Sequence, residues 1–134
     1  MKVAIIDDER DMRLSITQWL SLSGYEPESF ASAEEALVNI GSNYPGVIVS
    51  DIKMPGMDGM QLLKKLKGQD SVLPVILITG HGDVPMAVEA MRLGAFNFLE
   101  KPFEPEDLTQ LIKAAAKKRR FTLESRELRK ELSD

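Results

Sequence analysis

Short apolar runs rich in β-branched residues alternate along the chain with stretches whose apolar residues recur at helical spacing. Val3-Ala4-Ile5-Ile6 reads as a strand, and Met12, Ile16, Trp19 and Leu20 then share one face of a helix over Asp11 to Leu22. Gly24 stops that helix, and Tyr25 to Phe30 reads as a weaker strand. Ser32, with Glu35 three residues on, has the form of a capping box and opens a helix carrying Ala36, Leu37 and Ile40. Val47-Ile48-Val49-Ser50 is a third strand that runs straight into Asp51. Pro55-Gly56 and Asp58-Gly59 mark turns, and Met60 to Leu66 follows as a short helix with Leu62, Leu63 and Leu66 inward. Pro74 opens a fourth strand, Val75 to Thr79, and Pro85 to Leu93 is a helix that tolerates proline in its first turn. Gly94 ends it, Asn97 to Glu100 is a short fifth strand, and Pro105 opens a last helix predicted to reach about Leu132.

Strand and helix alternate five times, which implies parallel strands joined by right-handed helical crossovers. Strands one, three and four are continuously apolar, as strands covered on both faces must be. The expected fold is therefore α/β: a doubly wound, five-stranded parallel sheet of the flavodoxin-like order 2-1-3-4-5, with five helices, the last extended.

Composition narrows the function classes. The chain has 134 residues, 43% of them hydrophobic, which suits one compact domain with a single core. It lacks cysteine, so neither a disulfide framework nor a thiolate metal site is available, and a reducing cytoplasmic setting fits. No apolar run approaches the ~20 residues that span a bilayer, and Asp7-Asp8 interrupt the first apolar run too early for a signal peptide. The net charge of −4 gives the body no basic face for nucleic acid. Lys117-Lys118-Arg119-Arg120 is the single basic run, and Glu124, Glu127 and Glu131 nearby make it read as a solvated helix with i,i+4 pairing.

In a sheet of this order, ligands bind outside the carboxyl ends of the strands, at the switch between strands one and three. Asp7 and Asp8 follow strand one, Asp51 follows strand three, Thr79 strand four and Lys101 strand five. Three carboxylates, a hydroxyl and an ammonium are thus expected on one rim. Carboxylates brought together repel, and a hard divalent cation with oxygen ligands neutralises them. Asp51 is the natural nucleophile, since carboxylates form acyl phosphates. Lys101 can pair with a phosphoryl oxygen and Thr79 can donate to another. A phosphatase with an aspartate nucleophile usually carries a second acid two residues on, where this chain has Lys53. A flavin carrier of the same fold would have a Ser/Thr/Gly phosphate loop where Asp7-Asp8-Glu9 stands.

Asp7-Asp8, the stretch Asp51-Ile52-Lys53-Met54-Pro55-Gly56-Met57-Asp58-Gly59, Thr79-Gly80-His81 and Lys101-Pro102-Phe103 together resemble the signature of response-regulator receiver domains, over about Met1 to Ala116. The resemblance implies a phosphorylated Asp51 and a Mg²⁺ (or Mn²⁺) ion on Asp8, Asp51, the Lys53 backbone carbonyl and Asp7, the last directly or through water. It implies that Thr79 is the switch hydroxyl, Lys101 the phosphoryl ligand, Phe98 the switch aromatic and the Lys101-Pro102 bond cis. Lys53 and His81 fall where the family tunes phosphate lifetime. The implied donor is a sensor histidine kinase, and the chain would catalyse only its own phosphorylation and dephosphorylation. Thr79 to Val88, with Gly94-Ala95 and Phe98, is similar to the nitrogen-regulation class, most like C4-dicarboxylate transport regulators. Those continue into an ATPase acting on sigma-54 RNA polymerase and a DNA-binding domain. This chain has no G-x-x-x-x-G-K-[ST] phosphate loop, and both a fragment and a free-standing receiver fit that.

The last helix is longer than closing the sheet requires. The expected division is a receiver over 1–116 and a helical linker over 117–134. A seam at alternating three- and four-residue steps runs through Leu111, Ala114, Lys118, Phe121, Ser125, Leu128 and Leu132. It predicts a parallel homodimer through the linker and the face made by the fourth helix, fifth strand and fifth helix. The alternative is a helix whose leucines await a following domain.

Overall fold

The computed structural model describes residues 1–133; Asp134, the last residue of the expected linker, lies outside them. The elements run β1 (Lys2–Ile6), α1 (Arg10–Leu22), β2 (Glu26–Phe30), α2 (Ala33–Asn39), β3 (Gly46–Asp51), α3 (Gly59–Gln69), β4 (Val75–Thr79), α4 (Val84–Arg92), β5 (Asn97–Glu100) and α5 (Pro105–Ser133). The five strands form one sheet in the order β2-β1-β3-β4-β5, and every neighbouring pair is parallel. This is the doubly wound, flavodoxin-like arrangement that the alternation of elements predicts.

Alternation of side chains along the strands splits the core in two. Ala4, Ile6, Ile48 and Leu77 face α2, α3 and α4, where Ala36, Leu62, Leu63, Leu66 and Ala90 close over them. Val3, Ile5, Val47, Val49, Ile76 and Ile78 face α1 and α5 and meet Ile16, Leu20, Leu108 and Ile112. All six residues of β3 are buried, as befits the central strand.

Element ends differ from the sequence reading where side chains, not periodicity, decide them. Helix α3 runs to Gln69, past the expected Leu66, and starts on a capping box: Asp58 accepts from the Gln61 amide at 2.9 Å and the Gln61 side chain accepts from the Asp58 amide at 3.0 Å. At α2, Ser32 does cap Glu35 at 3.1 Å, but the Glu35 carboxylate reaches back to the Ala31 amide at 3.2 Å, one residue earlier than a capping box requires. The larger correction concerns the basic run. Arg119 is 0% exposed, not solvated, because it lies on the inward face that continues from Ile112 and finds partners there. Its Nε donates to the Tyr44 carbonyl at 2.9 Å and its Nη2 to Asp70 at 2.8 Å.

Candidate functional site at the carboxyl ends of the strands

The register of the sheet assembles the rim. Ile6 lies opposite Ser50, so Asp7 and Asp51, each the next residue, leave their strands side by side. Asp51 in turn pairs with Ile78, one step before Thr79, and Thr79 pairs with Glu100, one step before Lys101. Asp7, Asp51 and Thr79 are all buried, while Asp8 is exposed.

Backbone bonds hold Asp7 in place. Its amide donates to the Phe30 carbonyl at 3.2 Å, and Arg13 from α1 donates to its carbonyl at 2.7 Å. One carboxylate oxygen accepts from the Glu9 amide at 2.9 Å. The other is buried without a hydrogen-bond partner among the described residues. Burial pushes the Asp7 carboxyl pKa up; the Glu9 amide opposes this, and the nearby Asp51 charge adds to it. Carboxylate oxygens of Asp7, Asp8 and Asp51 lie within 4.8 Å of one another. A buried carboxylate oxygen lacking a donor, amid two more carboxylates, is the donor set a hard divalent cation takes. The three residues could hold a metal ion.

Lys101 approaches from the far side, with Nζ 3.0 Å from Asp51 Oδ2. Its position is set by its own amide, which donates to the Thr79 carbonyl at 2.9 Å, and the Lys101–Pro102 peptide bond is cis. Burial works against the Lys101 ammonium, but the hydrogen bond and charge of Asp51 outweigh it and hold its pKa above the ordinary lysine value. Phe98 is half-buried on β5 opposite Leu77, two steps from Thr79 in the register.

Lys53 and His81 belong to the rim's exposed edge, each facing a carboxylate that periodicity and motif did not single out. The Lys53 amide lies 3.4 Å from Asp51 Oδ1, and its Nζ 3.7 Å from Asp83. Asp83 immediately precedes α4, where a carboxylate ordinarily caps the helix, but it makes no such bond. His81 Nδ1 stands 3.6 Å from Glu100, which also accepts from the Gly82 amide at 3.4 Å. Beside the rim, Met12, Ile16, Trp19, Phe103 and Leu108 line an apolar groove of about 580 Å³ bordered by Lys101 and His81.

The expected linker stripe is only partly free. Leu111 packs against the core on the α1 side, and Lys118 lies over the Phe96 ring at 5.9 Å. Ala114, Phe121, Leu128 and Leu132 are exposed. No helix among the described residues is long and apolar enough to cross a membrane.

Comparison with known proteins gives the arrangement its family. The chain is 48% identical over 128 residues to the C4-dicarboxylate transport transcriptional regulatory protein DctD of Rhizobium meliloti, a match covering 96% of this chain and 28% of that one. It is 47% identical over 113 residues to the transcriptional regulatory protein FixJ of Bradyrhizobium diazoefficiens, covering 84% and 55%. The chain thus spans about a quarter to a half of these relatives' length. Among solved structures, a response regulator receiver domain protein from Clostridium thermocellum superposes with a TM-score of 0.81 at 32% identity, covering 90% of this chain and 98% of that one. The family model described as the response regulator receiver domain matches residues 3–113, and with that span covering both the sheet and its acidic rim, the chain belongs to the receiver-domain family of two-component response regulators.

Proposed function

We propose that this receiver is a phospho-acceptor switch in which Asp51 takes a phosphoryl group from the phosphohistidine of a sensor histidine kinase. The observation that carries this reading is the convergence at Asp51: carboxylate oxygens of Asp7, Asp8 and Asp51 within 4.8 Å, and the Lys101 ammonium 3.0 Å from Asp51 itself. Asp7, Asp8, Asp51 and the Lys53 backbone carbonyl would hold Mg²⁺ or Mn²⁺. Such an ion, when bound, would supply positive charge that offsets the negative charge gathered at Asp51 during transfer. An Asp51 carboxylate oxygen bonds to phosphorus as the P–N bond breaks, and the imidazole nitrogen keeps the electron pair. Lys101 moves from Asp51 to a phosphoryl oxygen, and Thr79 donates to another. The apolar groove beside Lys101 offers the kinase a docking site next to the reacting carboxylate.

Lys53 and His81 stand where they govern how water reaches the phosphoryl group, and so its lifetime. Phe98 has no hydroxyl, so its inward and outward states differ by packing alone. Movement of Thr79 and Phe98 shifts α4, whose Val84, Val88 and Met91 are exposed at helical spacing. That face, β5, α5 and the linker over 117–134 form a homodimer interface, whose state controls a downstream sigma-54-dependent ATPase and DNA-binding effector. The site of action is the cytoplasm, and this segment touches neither membrane nor nucleic acid.

Intact mass after incubation with acetyl phosphate tests the reading. Wild type gains one phosphoryl group only when Mg²⁺ is present, and Asp51→Asn gains none. An adduct on Asp51→Asn, or one indifferent to the metal, removes Asp51 from the role given to it. If no adduct survives to be weighed, Mg²⁺-dependent binding of beryllofluoride by wild type, absent in Asp51→Asn, supports the reading; no binding overturns it.

A further inference from the structure

A second charged cluster lies at the opposite end of the molecule from the acidic rim, and the phosphotransfer chemistry has no use for it. Asp70, between α3 and β4, has a side chain that is 2% exposed. Both of its oxygens are taken by arginines of α5. Arg119 Nη2 donates to Oδ2 at 2.8 Å, while Arg126 donates Nη1 to Oδ2 at 3.0 Å and Nη2 to Oδ1 at 2.8 Å. Arg126 Nη1 also reaches the Asn43 side chain at 2.7 Å, and Arg119 Nε the Tyr44 carbonyl at 2.9 Å. The clasp thus joins α5 to the α3–β4 loop and to the segment entering β3. The hydrogen bond from Arg126, with that from Arg119 and against the cost of burial, holds the Asp70 carboxyl well below the usual carboxylate range.

The spacing gives this cluster a direction. Ile112, Arg119 and Arg126 are seven residues apart, two helical turns each, so they lie on one face of α5. Ile112 and Arg119 are fully buried on it. Phe121, Leu128 and Leu132 lie on the other side of the helix and are 72%, 57% and 79% exposed. At 3.6 residues per turn, the middle of their stripe is well over a quarter-turn from the clasped face. Fixing one face to the body therefore decides which face is offered outward. In a parallel pairing of two such helices, the stripe residues form the seam, and Glu124 of one copy comes opposite Arg129 of the other, five residues on. That opposite-charge match, with the exposed apolar seam, commits the surface to a second copy of this chain.

We propose that Asp70 is a positioning residue for the output interface: it binds Arg119 and Arg126, sets the direction and rotation of the distal half of α5, and so presents Phe121, Leu128 and Leu132 to a second copy. The proposal rests on the dimer reading above for its occupant, but the holding of the helix stands apart from it. A buried carboxylate between two guanidiniums defines one helix orientation. A rotation that carries Arg119 off Asp70 strands a buried guanidinium, and one that carries off the part-exposed Arg126 removes two of the three hydrogen bonds that the arginines give the carboxylate.

The absence of cysteine makes the test direct, since two introduced cysteines can be spin-labelled without background. Labels at Val38→Cys on α2 and Glu131→Cys on α5, in chains diluted with unlabelled protein, read the distance between body and helix end. The reference gives one narrow distribution. Asp70→Asn broadens it or moves it, and Arg126→Gln does so less, because the Arg119 bond remains. A distribution as narrow and as centred in Asp70→Asn as in the reference overturns the proposal. Should Asp70→Asn fail to fold, Arg126→Gln decides, and an unchanged distribution there overturns it equally. Sedimentation of the same variants is expected to show self-association weakened by about tenfold or more. Phosphoryl uptake at Asp51, weighed in the same samples, is expected to stay at the wild-type level. Loss of uptake in wild type would strike the proposed function and leave the distance measurement standing. An altered distance with unaltered self-association would overturn the output role given to Asp70.

Discussion

Asp7 carries a buried carboxylate oxygen without a donor, next to two other acids. Its raised pKa gives its pH dependence a definite sign. A carboxyl whose pKa is higher folded than unfolded costs stability as pH rises from the unfolded value through the folded one, and that cost persists at neutral pH. Without divalent metal, Asp7→Asn therefore raises the melting temperature at pH 7 by roughly 2–5 °C, because the amide keeps the oxygen facing Glu9 and sheds the charge. With millimolar Mg²⁺ the order reverses: wild type gains stability from ion binding, and the variant gains far less, with an affinity lower by about tenfold or more. Paired calorimetric scans with metal and with chelator check both halves. No stabilisation by Asp7→Asn in chelator would mean that the carboxylates do not strain the empty rim. Asp7, Asp51, Thr79 and Lys101 are legible in the sequence because each stands at the end of an apolar run, and strand ends of a parallel sheet share a rim. The carboxylates facing Lys53 and His81 are not legible in this way. Asp83 and Glu100 belong to a loop and a strand edge whose approach depends on how the backbone turns after β4.

Among the elements, α3 depends on its cap and its first residue more than its leucines suggest. Asp58 closes a reciprocal cap with Gln61, and Asp58→Ala is expected to cost about 0.5–2 kcal/mol in urea unfolding. Gly59 lies against the end of β3: its amide donates to the Ile52 carbonyl at 2.7 Å, and a Cβ there would meet the Asp51 carbonyl oxygen and the Ile52 Cα. Gly59→Ala must push the helix away from the strand that carries Asp51. It is expected to destabilise more than the loss of the cap and to slow phosphoryl uptake, read by intact mass over time. A variant with wild-type stability and uptake would show that the loop absorbs the clash. The sequence marks Asp58-Gly59 as a turn, since both residues favour one. The same two residues also start a helix and let it touch a strand, a distinction that lies in tertiary contact rather than in dipeptide identity.

At the scale of the whole molecule, Asp70 is the residue on which distant parts meet. Asp70→Ala leaves Arg119 buried without its anion and is expected to cost about 3–5 kcal/mol in denaturant unfolding. The pH dependence follows from the lowered Asp70 pKa. Its contribution is complete above the ordinary carboxylate value of 3.8 and is lost as pH falls below that value towards the folded one. Arg119 and Arg126 face the carboxylate, and Lys67 stands near, its ammonium bound to the Ser71 and Leu73 carbonyls. These cations stay charged throughout that range, so the titration belongs to Asp70. Asp70→Asn should therefore unfold with a shallower acid dependence below pH 3.8 than wild type does; equal slopes would assign the acid sensitivity elsewhere. The five-stranded order is readable from alternation alone, but this junction is not. Arg119 and Asp70 are separated by 49 residues, and a basic run on a long helix looks solvated until its partner is known.

The central strand ties the two ends of the molecule together. Beyond one end of β3 lies the Tyr44 carbonyl that holds Arg119, and at the other is Asp51. The strand's six residues, Asp51 among them, are all buried, about 20 Å of backbone clamped by β1 and β4. A strand so enclosed neither slides nor bends by much, and it serves as an axle rather than a wire. A change at Asp51 then leaves the far mounting of α5 where it was. In the dimer proposed above, a signal from Asp51 would then travel round the rim, through the half-buried β5 and through α4 with its exposed Val84, Val88 and Met91, and arrive as a swing of surfaces about a fixed shaft.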